Sequence, residues 1–263
     1  MRKRMFSYLI AAAVSFSPIV YGQQSPEPLL PTAEGEETQS TTTENKFSPL
    51  PTSEIPVCTA TVCFPPSYPQ CTAELESRIT SLRLTISLSD YTLLLEGKTD
   101  REERCTLLEQ KVIVGKKDWR TPPMETTLLY ALTHPTWYPT QKIIEEMKEK
   151  EPEQYAVLQF DENIQRYYVP PGKNSPLGKV KFVMDTPHLV FLHGTPYKYL
   201  FSKNRRDFSH GCIRTENEVV LLKILSRVAG SDCDETCIDN ALAKGNTKKI
   251  TFEKPITVNV SKE

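Results

Sequence analysis

The sequence predicts a mainly β domain with one or two helices, packed as a sandwich or a partly open barrel. Three observations carry that expectation. Leu84, Ile86 and Leu88 alternate with Thr85, Ser87 and Ser89, the period of a strand buried on one face. Further strand-type runs recur toward residue 260, separated by Gly- and Pro-bearing turns. Only one long helical run with a wide apolar face is evident, from Val219 to Val228.

The 263 residues suffice for one ordinary domain plus extensions. A net charge of −1 gives no electrostatic footprint for nucleic acid, which is not expected as a partner. There are 21 prolines against 10 glycines, with much of the proline early in the chain. Arg2, Lys3 and Arg4 precede a short apolar core running from Leu9 to Val14 and on through Phe16 and Ile19. Val20-Tyr21-Gly22 then offers a cleavage site. Residues 1–22 are therefore read as a signal peptide cut after Gly22, the alternative being an uncleaved anchor. The apolar part is too short and interrupted for a comfortable span, so no stable membrane span is expected after cleavage. Export to the periplasm or cell envelope follows. No cysteine lies close behind the apolar core, which argues against a lipoprotein.

Residues 23–57 are rich in Pro, Thr, Ser and Glu and poor in large apolar side chains. They cannot bury enough surface to offset ordering entropy and read as a flexible tether. Residues 58–81 form a cysteine-bearing collar. Seven cysteines are present: Cys58, Cys63, Cys71, Cys105, Cys212, Cys233 and Cys237. An oxidising compartment favours pairing, and an odd count leaves one thiol free. Local grouping points to bridges within 58–71 and between Cys233 and Cys237, with Cys212 the free thiol. Zinc at Cys58/Cys63 and Cys233/Cys237 is the rival reading; export and poor ligand spacing favour disulfides, so no metal and no cofactor are expected.

Residues 74–83 suit a short helix, and a strand is expected from Leu84. Tyr91–Leu95 continues it, Glu96-Gly97-Lys98 reads as a turn, and Cys105–Val114 as the returning strand. Thr121-Pro122-Pro123-Met124 is neither helix nor interior strand. Residues 124–155 read as an insertion that interrupts the sheet. Within it Trp137 and Tyr138 stand between prolines, and Thr140 caps a helix over Gln141–Lys150 that ends before Pro152. A lid that contacts substrate and a structural excursion whose aromatics fill core are both open at this point. Strands are expected near Tyr155–Phe160, Gln165–Val169, Lys179–Met184 and His188–Leu192, then over Lys249–Val260. Thr215 with Glu218 fits a capping box for the long helix, and Gly230 ends it.

Chemistry concentrates in His193-Gly194-Thr195 and Ser209-His210-Gly211-Cys212-Ile213-Arg214. A cysteine attacks as thiolate, and a pKa near about 8.5 leaves little of it at neutrality. The helix expected about three residues later would bring positive partial charge. A histidine would take the proton and form an ion pair. Gly211 permits a tight bend and room for an oxyanion at nearby N–H groups. His210 is only two residues from Cys212, which makes contact awkward, so His193 is favoured as base. Spacing alone leaves a catalytic pair and a structural His with a buried Cys equally open.

These motifs resemble the signature of the L,D-transpeptidase (YkuD-type) family: a histidine, a connector, then Ser/Thr-His-Gly-Cys, a hydrophobic residue and Asn or Arg. Fifteen residues separate His193 from Ser209. Asn174-Ser175-Pro176-Leu177-Gly178-Lys179-Val180-Lys181-Phe182, and Val112–Gly115 with Thr121–Met124, are similar to the longer, YcbB-type branch, where a capping insertion falls at about 124–155. The resemblance covers about residues 82–230, within a catalytic domain of 82–263, and implies a YkuD-like β-sandwich. It implies acyl transfer on peptidoglycan stem tetrapeptides, with Cys212 as nucleophile, His193 as base and the Gly194 carbonyl orienting the imidazole. Ser209, His210 and Gly211 would shape the pocket. Arg214 would meet a substrate carboxylate, the alternative being a helix-end ion pair, and Tyr197 and Trp137 would line the groove.

The implied product is a 3→3 cross-link, and carbapenem-type inhibitors are expected to trap the thiol. Release by water, attachment of a protein amine, and a disulfide-linked peptidoglycan-binding envelope protein are the alternatives. The family's long branch carries a large N-terminal region and a glycan-binding module. Here only a tether and collar precede the domain, so wall targeting is expected from the domain or a partner.

Overall fold

The computed structural model describes residues 69–173 and 175–262. The leader, the tether, Cys58 and Cys63 lie outside the described residues. Two compact units divide the chain, Met1–Val57 and Cys58–Glu263, and all that follows concerns the second.

Helix α1 (Ala73–Ser77), capped by the Thr72 hydroxyl, is a single turn. The helix expected over 74–83 stops there. Strand β1 (Ile79–Ser87) starts at Ile79, because burying Ile79, Leu82, Leu84 and Ile86 as core outweighs helix propensity. Strand β2 (Thr92–Thr99) runs through Glu96-Gly97-Lys98, which is no turn: Gly97 pairs with Cys105. A Cβ on Gly97 would lie 2.2 Å from Ile79 Cδ1, so the glycine serves close packing. The chain turns instead beyond Thr99, and Glu102 takes φ +65°.

Strand β3 (Arg104–Gly115) follows as expected. Met124–Thr133 is then a full strand, β4, between two others, so the sheet is not interrupted at 124. Its buried Leu128, Ala131 and Thr133 are masked in sequence by the exposed Thr127 and Leu129. The excursion from the sheet begins at His134. It holds α2 (Gln141–Lys150), capped by Thr140 as expected, α3 (Pro152–Ala156), and a separate hairpin of β5 (Gln159–Asp161) and β6 (Arg166–Tyr168). Tyr155 lies in α3 rather than in a strand. Its ring packs 6.0 Å from Tyr167, which meets Phe160 at 5.0 Å, so these partly exposed aromatics cluster on the excursion itself.

The sheet resumes with β7 (Val180–Met184) and β8 (Leu192–His193). The strand expected from His188 is cut short, because Leu189 has φ +53° and projects 68 % exposed. After β9 (Asp207–Ser209) and β10 (Ile213–Thr215) comes α4 (Glu218–Ala229), ended by Gly230 at φ +74°. The capping box is absent. Thr215 is buried in β10 and its hydroxyl accepts from Gln110 Nε2, while Asn217 is the N-cap without a side-chain bond. Helix α5 (Glu235–Lys244), capped by Asp234, was not expected; β11 (Lys249–Thr251) and β12 (Ile256–Ser261) complete the domain.

The strand order is β10-β8-β7-β4-β12-β1-β2-β3-β9, and β10 also pairs with β3, so the path closes on itself. The fold is mainly β, with more helices than the one or two expected. Leu221, Leu222 and Leu225 of α4 are fully buried and join one core with Phe182, Leu192, Ile213 and the β1–β2 leucines. Each such side chain contributes about 1.5–3 kcal/mol on burial. Cys71 is bridged to Cys105, not to a neighbour within 58–71, and Cys233 to Cys237 as expected. Cys212 is free. The Cys71 bridge clamps the start of the domain onto β3, beside the Cys71 N–H to Thr106 carbonyl bond of 2.9 Å.

Candidate active site

Strand alternation builds the site. In register, Lys181 of β7 stands opposite His193 of β8, and His193 opposite Arg214 of β10. The next residues, Phe182, Leu192 and Ile213, are fully buried in the core. Successive side chains point to opposite faces. Lys181, His193 and Arg214 therefore form a row across three strands on the other face. Cys212, two residues before Arg214, shares that face, as does Phe191.

His193 is buried, and its Nδ1 lies 2.6 Å from the Gly194 carbonyl. A carbonyl only accepts, so Nδ1 carries the hydrogen and Nε2 offers its lone pair. Burial first, then the positive charge of Arg214, and Lys181 after it, bring the imidazole down to about 3; the Gly194 and Leu177 carbonyls act the other way. Gly194 is held closely: a Cβ there would lie 2.3 Å from the Glu218 carboxyl. Glu218 of α4 is itself fixed by Lys198 Nζ at 2.5 Å and by the Lys179 N–H at 3.3 Å. The helix thus supports His193 through the buried Glu218 carboxylate, paired with the exposed Lys198.

Cys212 is half-buried, just before β10. Its thiol reaches the Leu189 carbonyl at 3.9 Å. Burial raises the thiol pKa. The Phe191 N–H, Lys181 and Arg214 oppose that, in this order. Two expectations change here. Helix α4 starts six residues beyond Cys212, at Glu218, rather than about three, and β10 lies between them. With the thiol raised and the imidazole lowered, the resting pair is neutral rather than an ion pair.

The loop before Cys212 is pinned on several sides. Ser209 is buried; its hydroxyl donates to the Cys212 carbonyl at 2.5 Å and accepts from the Gly211 N–H at 3.1 Å. That N–H is therefore engaged within the loop and not open to an oxyanion. Gly211 has φ +106°, and Thr121 donates to its carbonyl at 2.8 Å. His210 turns away from Cys212: its Nε2 lies 3.0 Å from Lys116 Nζ and 3.3 Å from Glu146 of α2, and its ring meets Trp119 edge-on at 5.1 Å. Lys116 and Glu146 pair at 2.7 Å, which with the other nearby cations holds the Glu146 carboxyl down to about 2.

Arg214 is desolvated, its Nε has no hydrogen-bond partner, and Cys212, Tyr197 and Glu151 are the groups acting on its charge. Among the described residues it makes no helix-end ion pair. Tyr197 is 41 % exposed at the same mouth, packed edge-on against Tyr199 at 6.5 Å. Trp137 is half-buried and bridged through its backbone to Val169 at the base of the excursion. Sequence reasoning missed Lys181 and Glu218. Lys181 was legible as the polar partner of buried Val180 and Phe182 in β7; Glu218 was not, because its role depends on Gly194 and Lys198 meeting in space.

A mainly β domain with a free cysteine and a carbonyl-tethered histidine on one sheet face has the layout of an acyl-transfer catalytic domain. Residues 81–229 match the L,D-transpeptidase catalytic domain family (YkuD), more than half of the chain, and the chain belongs to that family. A Haemophilus influenzae protein provisionally named an L,D-transpeptidase is 30 % identical over 152 residues, covering 47 % of this chain and 30 % of its own length. An L,D-transpeptidase from Mycobacterium smegmatis aligns at 14 % identity and TM-score 0.36, over 68 % of this chain and 58 % of that one. The Enterococcus faecium enzyme, as a C442S mutant, aligns at 12 % and 0.35, over 68 % and 50 %. The chain thus spans less than a third of the curated relative and about half of these structures.

Proposed function

We propose that this domain is a peptidoglycan L,D-transpeptidase that forms 3→3 cross-links through a thioester on Cys212. The carrying observation is the disposition of the pair: a free thiol and a neutral, carbonyl-tethered imidazole on one sheet face. In the first half-reaction the Cys212 proton passes to His193 Nε2. The sulfur bonds to the carbonyl carbon between the third stem residue and the terminal D-alanine. That C–N bond then breaks, and the proton held on Nε2 goes to the departing amine. In the second half-reaction the side-chain amine of a neighbouring stem attacks the thioester, its proton passes to His193 Nε2, and Cys212 leaves as thiolate and takes that proton back. Hydrogen bonds in such a pair often tighten only with substrate bound, which fits a thiol directed to Leu189 at rest.

The Arg214 guanidinium, whose buried Nε has no hydrogen-bond partner, supports recognition of a stem carboxylate, with Tyr197 at the rim. Ser209, His210 and Gly211 hold the loop that presents the thiol, and Trp137 belongs to the excursion rooted beside it. The excursion acts as a cap, joined to the nucleophile loop through Glu146 and His210; its position after the Val112–Met124 motifs supports the YcbB-type branch. Among the described residues no helix is long and apolar enough to cross a membrane. Export to the periplasm or cell envelope is our reading of the leader. A related L,D-transpeptidase has been solved in complex with imipenem; carbapenems are expected to acylate Cys212.

Mass spectrometry of products from disaccharide tetrapeptides tests the proposal. Wild type should yield 3→3 dimers and Cys212→Ala none. Dimers from Cys212→Ala would refute the assignment, and loss of D-alanine without dimers would mean water is the acceptor.

A further inference from the structure

We infer that Lys181 is the electrostatic partner of Cys212, one arm of a cationic bracket, closed by Arg214, that favours the thiolate. The inference rests on the reading of Cys212 as nucleophile. The row is the first observation: Lys181, His193 and Arg214 stand abreast on three adjacent strands, and Cys212 shares their face. Neighbouring strands lie about 4.8 Å apart, so the two cations flank the histidine within two strand spacings.

The second observation is where the Lys181 ammonium rests. Its Nζ lies 3.5 Å from the centroid of the Phe191 ring, and the Phe191 N–H points at the Cys212 sulfur. The ammonium is thus held over the residue that touches the thiol. The third is what the bracket lacks. Among the described residues neither Lys181 nor Arg214 forms a salt bridge, and the one acidic group acting on Lys181 is Cys212. Tyr197 and Glu151 face Arg214; His210, with Lys116 and Glu146, lies beyond it on the loop side. Desolvation lowers the Lys181 pKa and Cys212 raises it, as expected of an ammonium that waits for an anion.

The chemistry is proton loss from sulfur. In alkylation without substrate the thiol's proton passes by way of His193 Nε2 to water, whereas in turnover it stays on Nε2 for the departing amine. In both, Lys181 keeps its own proton and neutralises the thiolate across the site, and the thiolate in turn offsets the two cations beside the imidazole.

Lys181 acts through Cys212, so its test reads the thiol itself. The pH midpoint of Cys212 alkylation by iodoacetamide is measured by peptide mass in wild type, Lys181→Gln and Lys181→Arg. Lys181→Gln is expected to raise the midpoint by about one unit or more and to slow alkylation near neutrality about tenfold, with Lys181→Arg restoring most of it. An unchanged midpoint in Lys181→Gln, or an Arg variant no better than Gln, overturns the inference. If Lys181→Gln does not fold, the reciprocal measurement decides. The Lys181 side-chain resonance should titrate at lower pH in Cys212→Ala than in wild type, and equal titration overturns the inference. Because no substrate is needed, these outcomes are separate from cross-linking: active Cys212→Ala sinks the proposed function, whereas inactive Cys212→Ala with an indifferent midpoint sinks only the bracket.

Discussion

The two histidines of the motif sit in opposite electrostatic surroundings. His193 stands in a row between Lys181 and Arg214, without a carboxylate partner among the described residues. His210 stands between Lys116 and Glu146, where the carboxylate offsets much of the positive charge. The first site is a cationic face, with no salt bridge to Lys181 or Arg214 among the described residues, that keeps its imidazole neutral. The second is a compensated cluster that ties the excursion's α2 to the loop before Cys212. Proximity in sequence misleads here: His210 is the nearer to Cys212 along the chain, yet His193 shares its sheet face.

The largest expected effect separates them in activity. His193→Gln should cost about 10³-fold or more in kcat/KM, whereas His210→Gln should cost about tenfold, because only the former moves a proton at the reacting sulfur. Steady-state kinetics on tetrapeptide donors measure both, and equal losses would erase the distinction drawn here.

The next separates them in acid. His193 goes from an ordinary 6.5 down to about 3 on folding. The unfolded chain binds the proton first, so this stability is complete above about 6.5 and is lost as pH falls toward 3. Glu146 goes from 4.5 to about 2, so its contribution stays whole above about 4.5 and is lost only below it. Denaturant melts between pH 7 and 5 should therefore lose most of their slope in His193→Gln, the remainder coming from His210, which burial also lowers, whereas Glu146→Gln, which removes the carboxylate that raises His210, should not reduce the slope. Near neutrality Glu146→Gln should cost about 1–2 kcal/mol and speed hydrogen exchange in α2. A steep pH 7-to-5 slope that survives in His193→Gln would contradict the assigned environment.

Much of this was legible before any coordinates. Thr140 and Pro152 bound α2 by local chemistry, Gly230 ends α4, and alternation marked β1, because each signal acts over a few neighbours. The failures are long-range. Thr215 reads as a helix cap, but Gln110, far away in sequence, draws it into β10. Gly97 reads as a turn until Ile79 is laid across it. Cys71 bridges to Cys105 rather than to a near neighbour because β3 returns beside the chain's entry into the domain. In the candidate site, the motif singled out Cys212, His193 and Gly194; the row was hidden because register, not spacing, brings Lys181 abreast of His193. The helix expected to activate the thiol proved to support Gly194 through Glu218, and the charge near the sulfur comes from two strands.

The most direct test of the account is the identity of the residue that carries the acyl group. The protein would be quenched in acid during turnover of a disaccharide tetrapeptide, digested, and its peptides weighed. The account predicts a donor-minus-D-alanine adduct on the peptide bearing Cys212, present in wild type and missing in Cys212→Ala. An adduct on another residue, or dimers formed with no adduct at Cys212, would contradict it.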